Sequence, residues 1–161
     1  MKQHHQQQKA LTNMATSEIY LSGMCKWAKV HTPQNKYEST DKEWSINLYL
    51  DEVSKKAFDM SGLQLKKKED EEGTFITLRR DVTKVINGDT LTFMKPAVLD
   101  GEGQPVTDMI GNGSEVTCKV DVFNTAKGMG HRLQAVRIDE LEPYEPHGID
   151  SLLNDPNDVP F

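Results

Sequence analysis

Aromatic and cationic side chains interleave at several points along this chain. Trp27 lies between Lys26 and Lys29, Phe75 precedes Arg79, Phe93 precedes Lys95, and Lys119 precedes Phe123. Lys127 and Arg132 flank the glycine-rich stretch "GMGH". Residues spaced by two or four on a strand share a face, so Trp27 with Lys29, Phe75 with Arg79, Phe93 with Lys95 and Phe123 with Lys119 each offer a flat ring beside a positive charge. Single-stranded nucleic acid suits that arrangement: bases stack on rings whatever their sequence, and cations follow the phosphates. A stacked base is worth about 1–3 kcal/mol. The DNA-contact candidates are therefore Lys26, Trp27, Lys29, Phe75, Arg79, Phe93, Lys95, Lys119, Phe123, Lys127 and Arg132, with Phe75 and Phe123 as the main platforms. Trp44 alternates with Ile46 and Leu48 and is expected in the core, so quenching on binding should come from Trp27.

Other chemistries find little support. "MIGNGSEV" lacks the Lys-Ser/Thr of a phosphate loop and leads into a strand, so its glycines read as a tight turn. His31, His131 and His147 fall in separate segments without a spaced Ser, Cys or Asp partner, and His4 and His5 have no further ligands nearby. Cys25 and Cys118 are far apart, each in an apolar-alternating stretch, and read as buried reduced thiols of a cytoplasmic protein. No catalytic residue, metal or cofactor is expected. No apolar run reaches the length of a membrane span.

The elements that position the candidates alternate with period two. "SEIYLSGMCKWAKV" has strand character. In "EWSINLYL", Trp44, Ile46, Leu48 and Leu50 face one way, and Ser45, Asn47 and Tyr49 the other. Asp51 should cap a short helix whose Val53, Ala57 and Met60 share a face, ended by Gly62 in the left-handed conformation. "LKKKEDEEG" reads as a charged loop. "TFITLRR" sets Phe75, Thr77 and Arg79 against Ile76 and Leu78. "NGDT" and "DGEG" bracket a strand "LTFMKPAVL" in a hairpin meander. "SEVTCKVDVF" turns Val116, Cys118, Val120 and Val122 inward and Lys119, Asp121 and Phe123 outward, and "RLQAVRIDELE" is the last strand. Five or six strands with one helix after the second favour an all-β, five-stranded OB-type antiparallel barrel, with a β-sandwich as the rival. Three segments follow: residues 1–16 as a disordered leader or cloning remnant, 17–142 as the folded domain, and 143–161 as a flexible acidic tail.

Charge supports that division. Of the 25 acidic residues, seven lie in positions 138–161, where no Lys or Arg occurs; the remainder of the chain carries 19 cations against 18 anions. A nearly neutral body thus bears an anionic tail, a pattern of interaction tails.

The succession "EWSINLYL"–helix–"GTFITLRR"–"AVLDGEGQPV"–"DMIGNGSEVTCKVDVF" resembles bacteriophage single-stranded DNA-binding proteins of the OB-fold kind. The ending "NDPNDVPF" resembles the acidic tip with a terminal Phe that those proteins carry. The resemblance implies DNA replication and recombination roles in the host cytoplasm: coating and protecting single strands, and recruiting a polymerase or helicase-primase through Asp155, Asp158, Val159, Pro160 and Phe161. Homodimerisation with exchanged tails is a further hypothesis. The alternatives are a non-catalytic β-barrel adaptor or structural phage protein that binds another protein, and a small metal-dependent nuclease.

Overall fold

Alternation becomes nine strands and one helix in the computed structural model, which describes residues 17–144. In chain order these are β1 (Ser17–Asn35), β2 (Lys42–Leu50), α1 (Glu52–Ser61), β3 (Lys68–Asp70), β4 (Gly73–Asp81), β5 (Thr83–Ile86), β6 (Asp89–Thr92), β7 (Ala97–Leu99), β8 (Glu115–Thr125) and β9 (Gly128–Glu140). Seven strands form one sheet in the order β3-β4-β2-β1-β8-β9-β7, antiparallel except for the parallel β7–β9 edge. β5 and β6 form a separate two-stranded ribbon. The mostly-β architecture with one helix after β2 is as expected. The strand number is higher than expected, and among the described residues no backbone ladder closes the sheet into a five-stranded barrel. "LTFMKPAVL" is not one strand: Pro96, which has no N–H to donate, separates β6 from β7. Part of the charged loop pairs as β3. The leader at 1–16 and the tail residues Asp155, Asp158, Val159, Pro160 and Phe161 lie outside the described residues. No described helix is long and apolar enough to cross a membrane.

The core forms where inward positions meet. Leu21 and Cys25 of β1, Ile46 and Leu48 of β2, Ile76 and Leu78 of β4, Val116, Cys118, Val120 and Val122 of β8, and Leu133, Val136 and Ile138 of β9 share one cluster. Trp44 is buried, as its place in the β2 alternation requires, although its Nε1 has no hydrogen-bond partner. The Cys25 thiol is pushed up to about 12, mainly by burial and then by Glu115. The Cys118 thiol is raised further, again by burial first. Both stay protonated and pack as small apolar groups.

Two bulges decide which side chains leave this core. On β1 the register passes from Lys26↔Asn47 to Lys29↔Ser45, so one residue too many is fitted in. Trp27 there takes φ 51°, an uncommon conformation for a bulky residue, and its N–H donates to Asn112 Oδ1 at 2.8 Å. Without the bulge Trp27 would follow Leu21, Gly23 and Cys25 inward. With it, Val30 is buried and Trp27 is 50% exposed. On β9 the pairs Lys119↔Ala135 and Val120↔Leu133 leave Gln134 as the extra residue, and the inward positions change from Leu133 to Val136 and Ile138.

Helix α1 begins as expected: Asp51 accepts from Ser54 N–H at 2.8 Å, and Gly62 ends it at φ 76°. Its buried face is different. Ser54 and Phe58 point inward, with Ala57 partly covered, whereas Val53 is 79% and Met60 87% exposed. Phe58 outweighs Val53 and Met60 in apolar area, and the Ser54 hydroxyl is needed inside, where it accepts from the Ser22 N–H.

Gly23 marks the tightest approach of two strands, because a Cβ built there would lie 1.8 Å from the carbonyl oxygen of Tyr49. Gly23→Ala is expected to destabilise the fold by about 3 kcal/mol or more, since backbone and not a flexible side chain must move. Urea unfolding of the two proteins measures it, and equal midpoints would show that β1 and β2 separate there easily.

Candidate nucleic-acid interface

Lys36 and Tyr37 just after β1, Glu43 near the start of β2, the end of β4 and the β8–β9 hairpin enclose a cavity of about 480 Å³. β5 and β6 lie beside it, joined by the Asn87-Gly88 turn with φ 52° and 84°, the left-handed pair a tight hairpin needs. The residue after the ribbon, Phe93, is anchored by its N–H donating to Val82 O at 2.8 Å. The ribbon thus supplies Lys84 and Phe93, β4 supplies Arg79 and Arg80, and the β8–β9 hairpin supplies Phe123, His131 and Arg132.

At the centre stands a column in which cations and rings alternate. Lys84 Nζ lies 5.8 Å from the Phe123 ring centre, and Arg132 Cζ lies 5.1 Å from the same ring. Arg132 also lies 4.4 Å from the Phe93 ring, which carries Arg80 at 5.3 Å. The order is Lys84–Phe123–Arg132–Phe93–Arg80. Each cation–ring contact contributes about 0.5–2 kcal/mol depending on desolvation, and the rings keep like charges apart. Arg80 is pinned as well, donating to Met94 O at 2.7 Å and to Leu133 O at 3.3 Å. Its guanidinium is held below its usual range, by burial first and then by Arg132, with Asp121 opposing. Gly130 makes room for the column: a Cβ there would meet Phe123 Cε2 and Thr125 Cγ2 at 2.9 Å.

The cavity's five cations fall into two groups. Lys36 pairs with Asp81 at 2.8 Å and Arg79 with Glu43 at 2.9 Å. Arg80, Lys84 and Arg132 have no ion pair among the described residues, so their charge is available to an anion.

β4 and β9 meet at this cavity without a backbone ladder among the described residues. His131 bridges them, its Nε2 accepting from the Arg79 N–H at 3.0 Å, which places the ring proton on Nδ1. The imidazole is pushed down to about 4, by burial first and then by Arg79 and Arg132, with Asp81 opposing.

The sequence-derived candidates separate. Phe93, Phe123, Arg79 and Arg132 come together here. Phe123, however, is only 6% exposed, covered by Arg132 and Lys84, so it is a buried rung of the column and not an open platform; replacing it should cost stability as well as binding. Lys95 and Lys127 are exposed, and neither lines the cavity. Phe75 packs on Tyr49, with ring centres 5.0 Å apart, and lines a different cavity with Phe58 of α1. Lys26 is bound to Glu72 at 2.5 Å and covers the Tyr49 ring. Lys119 pairs with Glu18 at 2.9 Å. Trp27 and Lys29 line a cavity with Met109, Asn112 and Tyr144, near the start of β8 and so at the far end of that strand from Phe123. Sequence reasoning missed Arg80, Lys84, Lys36, Tyr37 and His131. The "RR" at the end of "TFITLRR" was a usable signal, because a charged residue continuing the inward Ile76–Leu78 register must find an opening.

His131 gives a pH test of the seam. The folded state disfavours the imidazolium, so below the ordinary histidine value near 6.5 the unfolded chain binds the extra proton and the folded one does not. Stability is full above that value and falls as pH drops towards about 4, by up to about 1.4 kcal/mol per pH unit. His131→Gln should flatten that limb of the urea-derived stability profile, and an unaltered limb would remove His131 from it.

No family model matches the sequence, and no curated protein matches it. Solved structures do. The single-stranded DNA-binding protein gp2.5 of bacteriophage T7 aligns with a TM-score of 0.56 at 13% identity, covering 86% of this chain and 95% of that one. The single-stranded DNA-binding protein of bacteriophage Enc34, in complex with single-stranded DNA, aligns at 0.56 and 17% identity over 81% and 89% of the two chains. A second structure of the Enc34 single-stranded DNA-binding protein aligns at 0.55 and 16% identity, over 84% and 88% of the two chains. This chain therefore shares the fold of phage single-stranded DNA-binding proteins.

Proposed function

We propose that this protein binds single-stranded DNA without sequence preference in the groove beside β4, β8 and β9, coating exposed strands during phage replication and recombination. The observation that carries the reading is the column Lys84–Phe123–Arg132–Phe93–Arg80. It unites unpaired positive charge with aromatic surface, the two things that hold single strands. The shared fold adds support, since the Enc34 neighbour is in complex with single-stranded DNA. The five long strands, in the order β4-β2-β1-β8-β9, are read as an OB-type barrel closed at the β4–β9 seam by side chains. The acidic tail is read as the recruiting segment, with Phe161 offering an apolar anchor, and Asp155 and Asp158 negative charge, to a replication polymerase or helicase-primase.

Titration of a labelled oligo-dT at several salt concentrations, followed by anisotropy, tests the groove. Three unpaired cations predict a log–log slope of about −2, at −0.7 per phosphate on a single strand. Phe93→Ala should weaken binding by about 1–3 kcal/mol. A flat salt response together with an unchanged Phe93→Ala would leave the adaptor reading in its place.

Phe161→Ala separates the tail's role from the groove's. It keeps every side-chain charge, so oligo-dT affinity should stay within twofold, while capture of the replication partner should fall sharply with the lost anchor. Undiminished capture would rule out recruitment through Phe161.

A further inference from the structure

The groove accounts for one end of the β8–β9 hairpin. The other end carries a second constellation with the same chemistry. Tyr20 of β1 is 59% exposed and stands opposite Lys119 of β8, which stands opposite Ala135 of β9. Arg137 lies one outward position further along β9. With the loop of Gly101 and Gly103, these side chains line a cavity of about 280 Å³.

The bulge at Gln134 puts this cavity on the groove's side of the sheet. Arg132 and Arg137 are five residues apart, and in an unbroken strand an odd spacing would send them to opposite faces. The extra residue flips the register, so both stand on the face opposite Leu133, Val136 and Ile138. Phe123, Asp121 and Lys119 stand on the same outward face of β8. Two carboxylates border that strip between the cavities, and both are occupied: Asp121 by the side-chain amide of Gln134, and Glu18, opposite it on β1, by Lys119. Phe123 and Lys119 are four residues apart, or about 13 Å, so one continuous face connects the column to Tyr20.

Resting on the reading above, we propose that this strip continues the single-strand track, with Tyr20 as a second stacking platform and Lys119 and Arg137 as its phosphate contacts. Known OB folds engage about 4–16 nucleotides, more than one buried column can seat. Both cations are now paired, Lys119 with Glu18 at 2.9 Å and Arg137 with Asp139 at 2.7 Å. Such exposed pairs are weak, and a phosphate can displace the carboxylates. Glycines in the facing loop leave open space: a Cβ at Gly101 or Gly103 would meet nothing within 4 Å.

Oligonucleotide length is the test. Affinities for dT4 and dT16 would be measured for the wild type, Tyr20→Ala, Tyr20→Phe, Arg137→Ala and Phe93→Ala. The proposal expects Tyr20→Ala to weaken dT16 about tenfold and leave dT4 within twofold, Tyr20→Phe to restore dT16 binding, and Arg137→Ala to lower the dT16 salt slope by about 0.7. Equal dT16 affinity for wild type and Tyr20→Ala, with Phe93→Ala still impaired, overturns the second platform and leaves the groove standing. Loss in Tyr20→Ala with none in Phe93→Ala does the reverse: the strip binds DNA and the groove does not.

Discussion

Arg132 lies between two phenyl rings, and that sandwich is what lets the groove exist. Three cations without carboxylate partners converge on one cavity, and their mutual repulsion in a partly desolvated place opposes folding. Interleaved rings offset it: each turns a negative face towards a guanidinium or ammonium and holds the next cation at a distance. The column is therefore a folding solution as much as a binding surface. It also explains why Phe123 is buried, since a ring that separates two cations must be covered by them.

The column depends on elements that no single stretch contains. Its rungs come from the β5–β6 ribbon, the end of β4 and the β8–β9 hairpin, and the hairpin and β4 are held together by His131 and Arg80 in place of ladder hydrogen bonds. A continuous ladder would have drawn β4 and β9 to strand spacing, about 4.8 Å. Side-chain bridges hold the seam wider, which leaves room for Phe93 and Arg132 beside it. The open sheet and the groove are one feature.

The strands, the cap at Asp51, the stop at Gly62 and the inward Val116–Val122 series were legible in the sequence because each is a local pattern of period two or a single turn residue. What sequence could not show were the places where periodicity breaks. Trp27 faces outward as its neighbouring lysines suggested, but the bulge that puts it there against the Leu21–Cys25 alternation was not legible, and neither was the bulge at Gln134 that inverts the second half of β9. Pairing of rings with cations was misjudged for the same reason. Lys119 and Phe123 share a face, but the partners of Phe123 come from β5 and β9, and Lys119 answers to Glu18 on β1. The α1 face failed differently: Val53, Ala57 and Met60 satisfy helical spacing, yet so do Ser54 and Phe58, and only the bulk of Phe58 and the hydroxyl of Ser54 decide between them.

The distribution of carboxylates resolves how a body with nearly equal numbers of both charges can offer a surface to a polyanion. Glu72, Glu18 and Asp139 neutralise Lys26, Lys119 and Arg137 away from the column, and Glu43 and Asp81 neutralise Arg79 and Lys36 at its margin. Aromatic rings, not carboxylates, are the partners of Arg80, Lys84 and Arg132. A ring stabilises a cation without cancelling its charge, so three cations can converge at Phe93 and Phe123 and keep their positive field there. Net charge is a sum over the chain and is blind to that choice of partner. What an approaching phosphate meets is local, and at this groove two phenylalanines hold the cations together without cancelling them.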